Sequence, residues 1–531
     1  MSKIQILDCT LRDGGYVNDF LFGARNIKKI IVQLQNAKID IVECGFLEDG
    51  KYNPDCSVFN SIAQIRNVLS SERSTDTMFV VMACYGEYDL QQLAPYDGTS
   101  IEGIRVTFHY NEVDGALEYC RKIQALGYKV FVQPVGTTSY TDEQLISLIK
   151  RVNELNPYAF YLVDTLGLMQ KDDVARFFYL IDHNLDKQIH MGFHSHNNLQ
   201  LSYSNCQYLS SIVTDRTISL DSSVYGMGRG AGNLNTELIA TYLNNYNGGK
   251  YLIEPLLEVV DEHIAKIKEH HEWGYSVPYY LAAINGCHPN YASFLNGKQT
   301  LTVKQIGTIL RMIEKDKRPL FDRNLAEKIY KDFQDIEIDD TKTIEYLQNI
   351  LKDKLILILA PGASIKDNIK DILDWKSSKD AIVISVGFVP DFIDPDYVFL
   401  TNYKRYETTF NPQKKSINLI YSSNIQIEKI DGIKVNYQSL LYTDDSDVVD
   451  NSSLMLLKLL QRIGISKVDI AGMDGYDSNQ VNYYEDRLKM NYGQTIDYSL
   501  LNSAMSKALN HFQKSMEISF LTPTNYNIAN N

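Results

Sequence analysis

His190-Met191-Gly192-Phe193-His194-Ser195-His196-Asn197 reads as one buried strand with a polar end. Residues two apart on a strand face the same way, so His194 and His196 share a face where the run finishes. Two imidazoles placed so can take adjacent positions on one metal ion. A carboxylate would complete a facial set and leave other positions open for substrate and water. Paired histidines on a strand also occur as plain polar surface, so this stretch by itself leaves both readings open.

Outward from it, seven further strand-like runs appear at 4–8, 39–46, 77–85, 103–110, 129–136, 159–167 and 217–226, most dense in Val, Ile and Phe. Between them lie helix-period segments at 26–38, 114–126 and 141–155. In the first, Ile27, Ile30, Ile31, Leu34 and Ala37 form one apolar stripe. In the third, Thr141 and Gln144 have the spacing of a capping box. Strand alternating with helix means a parallel sheet, and eight strands in about 225 residues fit a closed (β/α)8 TIM barrel. A doubly wound open sheet is the rival. A barrel demands that chemistry sit at the C-terminal strand ends. The polar residues fall there: Asp8 to Gly15 after strand one, Glu43, His109, Gln133, Asp164, and a glycine-rich stretch, 226–233, after strand eight.

Asp13 is the carboxylate that would join His194 and His196. One carboxylate and two imidazoles suit Mn2+ or Mg2+, and Zn2+ or Fe2+ less well. Arg12 beside it is a fixed cation with bidentate donors, suited to an enolate oxygen next to a metal. The bland alternative is a structural Arg12–Asp13 ion pair. The Gly228-Arg229-Gly230-Ala231-Gly232-Asn233 loop is either a tight turn or a backbone cradle for a carboxylate or phosphate, and Glu237 after it fits a helix start.

Leu11-Arg12-Asp13-Gly14, His194-Ser195-His196-Asn197 and the loop 228–233 together resemble the pyruvate-aldolase and HMG-CoA-lyase-like superfamily, the metal-dependent DRE-TIM barrels. Within it they are most similar to the 4-hydroxy-2-oxovalerate aldolases. The resemblance covers roughly residues 1–300. It implies that Asp13, His194 and His196 bind Mn2+ or Mg2+, that Arg12 steadies a pyruvate enolate, and that Asn233 stands near the metal. Asp164 joins that shell of metal or substrate neighbours. One departure matters. The aldolases carry a catalytic histidine three residues after the metal aspartate, where this chain has Tyr16. A phenol with an ordinary pKa near 10 is a poor base at neutral pH. His109 is then either the replacement proton carrier or a residue that orients a neighbour. Residues 251–335 read as a helical extension completing the site, and similarity around Gly274 to Tyr280 assigns an active-site tyrosine to Tyr279, with Tyr275 second. Aromatic packing is the alternative for both.

A charged linker is expected over 336–354. Leu355-Ile356-Leu357-Ile358-Leu359-Ala360-Pro361-Gly362-Ala363-Ser364 then opens a Rossmann-like α/β domain over 355–531, with more strands at 381–386, 397–400, 417–421 and 468–471 and a frayed tail from 520. Its opening turn and Gly472-Met473-Asp474-Gly475 resemble nucleotide-binding, sialyltransferase-like proteins of surface-carbohydrate synthesis. That implies a nucleotide or nucleotide-sugar site near Gly362, Ser364 and Asp474, and a role in polysaccharide sugar biosynthesis.

The chain has 531 residues, 44% hydrophobic and 22% charged, and a net charge of −14. These values describe folded domains and disfavour nucleic acid or an anionic membrane as partner. Seven scattered cysteines without a CxxC pair read as reduced thiols, and with no signal profile or membrane-length apolar run they place the chain in the cytoplasm. The expected protein is a homo-oligomeric, metal-dependent carbon–carbon lyase acting on pyruvate or another 2-oxo acid and an aldehyde. The alternatives are a Claisen-type enzyme using an acyl-CoA on the same barrel, a bifunctional protein with a nucleotide-sugar transferase domain, or a scaffold with a silenced barrel.

Overall fold

The apolar runs of the first 222 residues assemble into parallel strands: β1 Ile4–Asp8, β2 Ile41–Leu47, β3 Val58–Phe59, β4 Met78–Cys84, β5 Gly103–Phe108, β6 Lys129–Pro134, β7 Ala159–Asp164, β8 His190–Ser195 and β9 Ile218–Ser222. Their order is β1-β9-β8-β7-β6-β5-β4-β2, and β1 pairs back onto β2 through Leu7↔Ile41 and Asp8↔Val42. Eight strands therefore close into a barrel, and the open-sheet rival falls. The two-residue β3 is a parallel addition to β2. This computed structural model describes residues 3–69, 76–298, 300–409, 418–426, 431–445, 448–477, 480–485, 488 and 498–528.

The strands stop sooner than the apolar runs. The run 217–226 ends as a strand at Ser222 and continues as a 3-10 turn, Val224–Gly226, because Tyr225 and Gly226 take φ of 58° and 61°, which no ladder accommodates. The helix Ala24–Asn36 buries Ile27, Ile30, Ile31 and Leu34, the stripe read from the sequence. The helix Asp142–Leu155 starts from Thr141, whose Oγ1 accepts the Gln144 N–H at 3.2 Å while Gln144 Oε1 accepts the Thr141 N–H at 2.9 Å. Capping of this kind contributes about 1 kcal/mol.

Alternation along each strand sorts side chains between the helix layer and the barrel interior. Leu7, Ile41, Val80, Phe131 and Tyr161 fill the interior as one apolar cluster. Gly192 makes room for it: a Cβ there would lie 2.2 Å from the Tyr161 ring. Two residues further along their strands the same interior face changes character and carries Glu43, Gln133 and His194; Arg105 and Asp221 are also buried there. The interior thus passes from hydrocarbon to charge toward the C-terminal strand ends.

The second parallel sheet contains β10 Leu355–Leu359, β11 Ala381–Val386, β12 Tyr397–Leu400, β13 Leu419–Ser422, β14 Ile433–Val435, β15 Lys467–Ala471 and β16 Glu517–Phe520, in the order β14-β13-β12-β11-β10-β15-β16. The direction of winding reverses between β10 and β15, the pattern of an open Rossmann-like sheet. The strands β14 and β16 are additions to the sequence reading, and Ile417 of the expected strand 417–421 lies outside the described residues.

The chain divides into two compact units, residues 1–293 with 313–322, and residues 294–312 with 323–531. The expected extension 251–335 is accordingly shared: Val277–Ile284 lies in the first unit, and Val303–Met312 and Arg323–Gln334 in the second. The linker 336–354 needs correction. Its helix Thr341–Leu351 buries Leu347 and Leu351 in the second core, and Asp340 accepts two bonds from Arg462, both 2.9 Å. The tail is also better anchored than its polarity suggested. Tyr526 is buried in the same core, and Thr522 Oγ1 accepts the Gly472 N–H at 2.9 Å. Among the described residues, no cysteine forms a disulfide and no helix is long and apolar enough to cross a membrane.

Candidate metal centre and active site

Asp13 follows β1, His194 lies within β8 and His196 just beyond it. Closure of the barrel joins the two ends of the sheet, and the ligand atoms of all three residues lie within 4.8 Å of one another. The imidazole centroids are 5.1 Å apart with ring planes at 88°. His194 Nδ1 stands 3.0 Å from Asp221 Oδ2, which leaves Nε2 as its ligand atom. Asp13 Oδ1 accepts from Arg12 Nη1 at 2.6 Å, and Oδ2 from Asn233 Nδ2 at 2.6 Å. Burial alone would raise the Asp13 carboxyl, but Arg12, the two histidines and Asn233 outweigh it and hold it below the ordinary carboxylate range. Burial lowers His196 to about 3, so its ring is neutral and available as a ligand at any physiological pH.

A buried chain of charges supports the cluster. Arg12 Nε donates to Glu43 Oε2 at 2.8 Å, and Arg105 Nη1 reaches the same oxygen at 2.7 Å. Arg105 Nη2 donates to Asp221 Oδ2, which also faces His194. Arg12, Asp13, Glu43, Arg105 and Asp221 are each at least nine-tenths buried. Two guanidinium groups stand against three carboxylates, an excess of one negative charge in low dielectric. Asn233 Oδ1 is buried beside Asp13 without a hydrogen-bond partner among the described residues. Excess negative charge, an orphaned oxygen and two imidazoles together fit a divalent cation.

A cavity of about 290 Å³ opens above the cluster, its lining including Arg12, Asp13, Tyr16, His109, His194, His196, Arg229 and His288. Tyr16 sits on the 3-10 turn Gly14–Val17, with Arg229 4.0 Å over its ring. Burial raises its phenol to about 12, against the pull of Arg229 and Arg12, so Tyr16 is a donor here and not a base. His109 stands on the exposed rim, its N–H bonded to Glu112 Oε2 at 2.7 Å.

Other sequence candidates sit elsewhere. The Asp164 carboxylate accepts the N–H groups of Leu168 (2.9 Å) and Met169 (3.0 Å), holding the loop after β7, and does not line the cavity. Tyr279 is likewise outside the lining; its hydroxyl accepts from Ser293 Oγ at 3.2 Å. Tyr275 is exposed. Glu237 accepts from Tyr225 N and Asn235 Nδ2, both at 3.0 Å, and steadies the helix start as expected. In place of a tyrosine, residues after the barrel contribute His288, Pro319 and Leu320. Sequence reading missed Arg105, Asp221, Arg229 and His288. The signals were an arginine and an aspartate on the inward register of two apolar strands, and one arginine within a glycine loop.

In the second unit, Gly362, Ser364 and Asp474 come together beside the switch between β10 and β15. Asp474 Oδ2 accepts the Ser364 N–H at 2.7 Å and Oδ1 accepts its hydroxyl. A Cβ at Gly362 would lie 2.3 Å from Gly472 O, so only glycine permits this approach. The carboxylate of Asp474 therefore stands where the helix Ile365–Ser377 would otherwise offer its N-terminus to an anion.

Comparison with known proteins agrees with the first unit. Residues 3–259 match the HMGL-like family. A 4-hydroxy-2-oxovalerate aldolase from Geobacillus genomosp. 3 is 24% identical over 269 residues, 48% of this chain and 78% of the relative. An oxaloacetate decarboxylase from Mycobacterium tuberculosis is 25% identical over 246 residues, 45% of this chain and 69% of the relative. Among solved structures, the HMG-CoA lyase from Brucella melitensis is 17% identical with a TM-score of 0.40, covering 49% of this chain and 96% of its own. Over residues 3–259, just under half of its length, this chain is similar to the HMGL-like family.

Proposed function

We propose that the first unit is a divalent-metal-dependent carbon–carbon lyase that makes or breaks the bond between a pyruvate enolate and an aldehyde, with Mn2+ or Mg2+ as cofactor and a 4-hydroxy-2-oxo acid as the joined species. The observation that carries this reading is the grouping of Asp13, His194 and His196 within 4.8 Å, with Arg12 bonded to the same aspartate. The names of the relatives support the reaction class. When bound, the cation supplies positive charge for the oxygens of a 2-oxo acid.

The chain's own residues do the rest. Arg12 is held by Glu43 and Asp13, so its donors are preorganised and need no reorganisation as negative charge gathers on the 2-oxo oxygen. In cleavage the hydroxyl at C4 loses its proton, the C3–C4 bond breaks, and its electron pair passes into the enolate. His109 Nδ1 or Nε2 is the proton carrier we assign, because Tyr16 keeps its proton. Tyr16 Oη donates to the alkoxide oxygen of the aldehyde half.

The test is pyruvate with Mn2+ in D2O, followed by proton NMR. Exchange of the methyl protons is expected, and its absence overturns the reading. The decarboxylase relative motivates a second reading on the same enolate. Oxaloacetate consumed faster than any 4-hydroxy-2-oxo acid would favour it. For the second unit, Gly362, Ser364 and Asp474 lie at the sheet's switch point, where open parallel sheets take ligands. A nucleotide sugar is the ligand we propose there, its sugar hydroxyls replacing Ser364 on Asp474, with a role in surface-polysaccharide synthesis. A thermal-shift screen of the full chain with nucleotides and nucleotide sugars tests it, and no shift with any of them overturns it.

A further inference from the structure

The cavity holds two guanidinium groups in very different circumstances. Arg12 is charge-paired with Glu43 and Asp13 through Nε and Nη1. Arg229 lies 4.0 Å over the Tyr16 ring with Nη1 3.2 Å from His288 Nε2, and among the described residues no carboxylate lies within ion-pair distance of it. The loop that carries it is anchored. Asn198 Oδ1 accepts the Ala231 N–H at 3.0 Å, and Asn233 Nδ2 donates to Met227 O at 3.2 Å.

In this corner the donors outnumber the acceptors. Both His288 nitrogens face N–H groups, Nδ1 that of Asn290 and Nε2 that of Arg229 Nη1, each at 3.2 Å, whereas a neutral imidazole has one acceptor nitrogen. Guanidinium nitrogens only donate. With Nδ1 accepting the Asn290 N–H, Nε2 carries the ring proton and meets Arg229 Nη1 donor to donor at 3.2 Å. An oxyanion placed there would take both bonds and neutralise the half-buried Arg229, whose guanidinium carbon lies 4.0 Å from the Tyr16 ring centre.

We propose that Arg229 and His288 form a subsite for a terminal anion, a carboxylate or phosphate, on the second substrate. The enzyme then selects an aldehyde, or a 4-hydroxy-2-oxo acid, whose far end is negatively charged. The assignment rests on the lyase reading of the same site for the identity of that substrate. The anion site itself stands on the donor geometry alone.

Two measurements test it on the full-length chain. In the first, protein stripped of metal is titrated calorimetrically with inorganic phosphate and glycerol 3-phosphate. Wild type is expected to bind. Arg229→Gln is expected to weaken binding about 10- to 100-fold, and Arg229→Lys less. Unchanged binding in Arg229→Gln, with circular dichroism confirming its fold, overturns the site. In the second, Mn2+-loaded enzyme is assayed with pyruvate and either D-glyceraldehyde 3-phosphate, succinic semialdehyde or propionaldehyde. The charged aldehydes are expected to exceed propionaldehyde in kcat/KM by at least about 10-fold, an advantage lost in Arg229→Gln. Equal use of all three overturns the proposal. So does a rise in the KM for pyruvate in the exchange assay without loss of that advantage, because Arg229 would then serve the 2-oxo acid. Absence of pyruvate exchange in wild type overturns the lyase reading and not the anion site, which the titration decides separately.

Discussion

Both units carry polar side chains at or just beyond the ends of their parallel strands, yet the two rims are finished in opposite ways. At the barrel rim three buried carboxylates share two guanidinium groups, and Asn233 Oδ1, Glu43 Oε1 and Asp221 Oδ1 are buried without hydrogen-bond partners among the described residues. At the rim of the open sheet both oxygens of Asp474 are used by Ser364, and Asp340 is matched by Arg462 and the Asn436 N–H. An under-satisfied buried rim costs stability until a ligand completes it, whereas a satisfied one is already at rest. The contrast locates chemistry in the barrel more firmly than any single motif does.

The comparison is easiest to break at Asp13. In Asp13→Ala, bound Mn2+ measured by elemental analysis should disappear and pyruvate exchange should fall by roughly 10³-fold. Retained metal would mean that the cluster is not the centre. Next comes the response of each rim to the cation. Mn2+ at about 100 times its Kd should stabilise the barrel by about 2.7 kcal/mol. Hydrogen exchange should show protection of peptides covering β8 and none of those covering β10; equal protection of both would erase the contrast. Asp221→Asn should weaken Mn2+ binding about 10- to 100-fold by calorimetry, because it loosens the hold on His194 Nδ1 without touching the ion. Unchanged affinity would make Asp221 a core residue only.

The smallest effect concerns the closed rim. Burial alone would raise the Asp340 carboxyl, but Arg462 and the Asn436 N–H hold it below its ordinary value. A depressed carboxyl adds stability above its unfolded pKa, near 3.9, and loses it as pH falls through the folded value. Asp340→Asn should therefore cost about 1–2 kcal/mol at pH 7 in urea unfolding, with the gap constant to about pH 5 and shrinking below about pH 4. A gap that widens in acid would contradict the pairing.

Strand and helix placement was legible because it follows from local period. The stripe of Ala24–Asn36 and the Thr141–Gln144 capping box needed only neighbours in sequence. Domain limits were less legible. The charged stretch 336–354 has the composition of a linker, and only the burial of Leu347 and Leu351 shows that it is part of a core. Tyr279 illustrates a further limit: whether a helix following a barrel turns a tyrosine into the site depends on its rotation, which period alone leaves undetermined.

By itself the sequence determined the eight-fold alternation of strand and helix, the polar residues at the strand ends, and Asp13, His194 and His196 as candidate ligands. The tertiary structure alone decided that β1 returns to β9, which turns a separation of some 180 residues between Asp13 and His194 into a few ångströms. It also decided that Arg105 and Asp221 lie beside the Asp13, His194 and His196 group, and that Arg229 meets His288 rather than an acid. The reason is physical: periodicity reports which face a side chain takes, and only closure of the barrel reports what it faces.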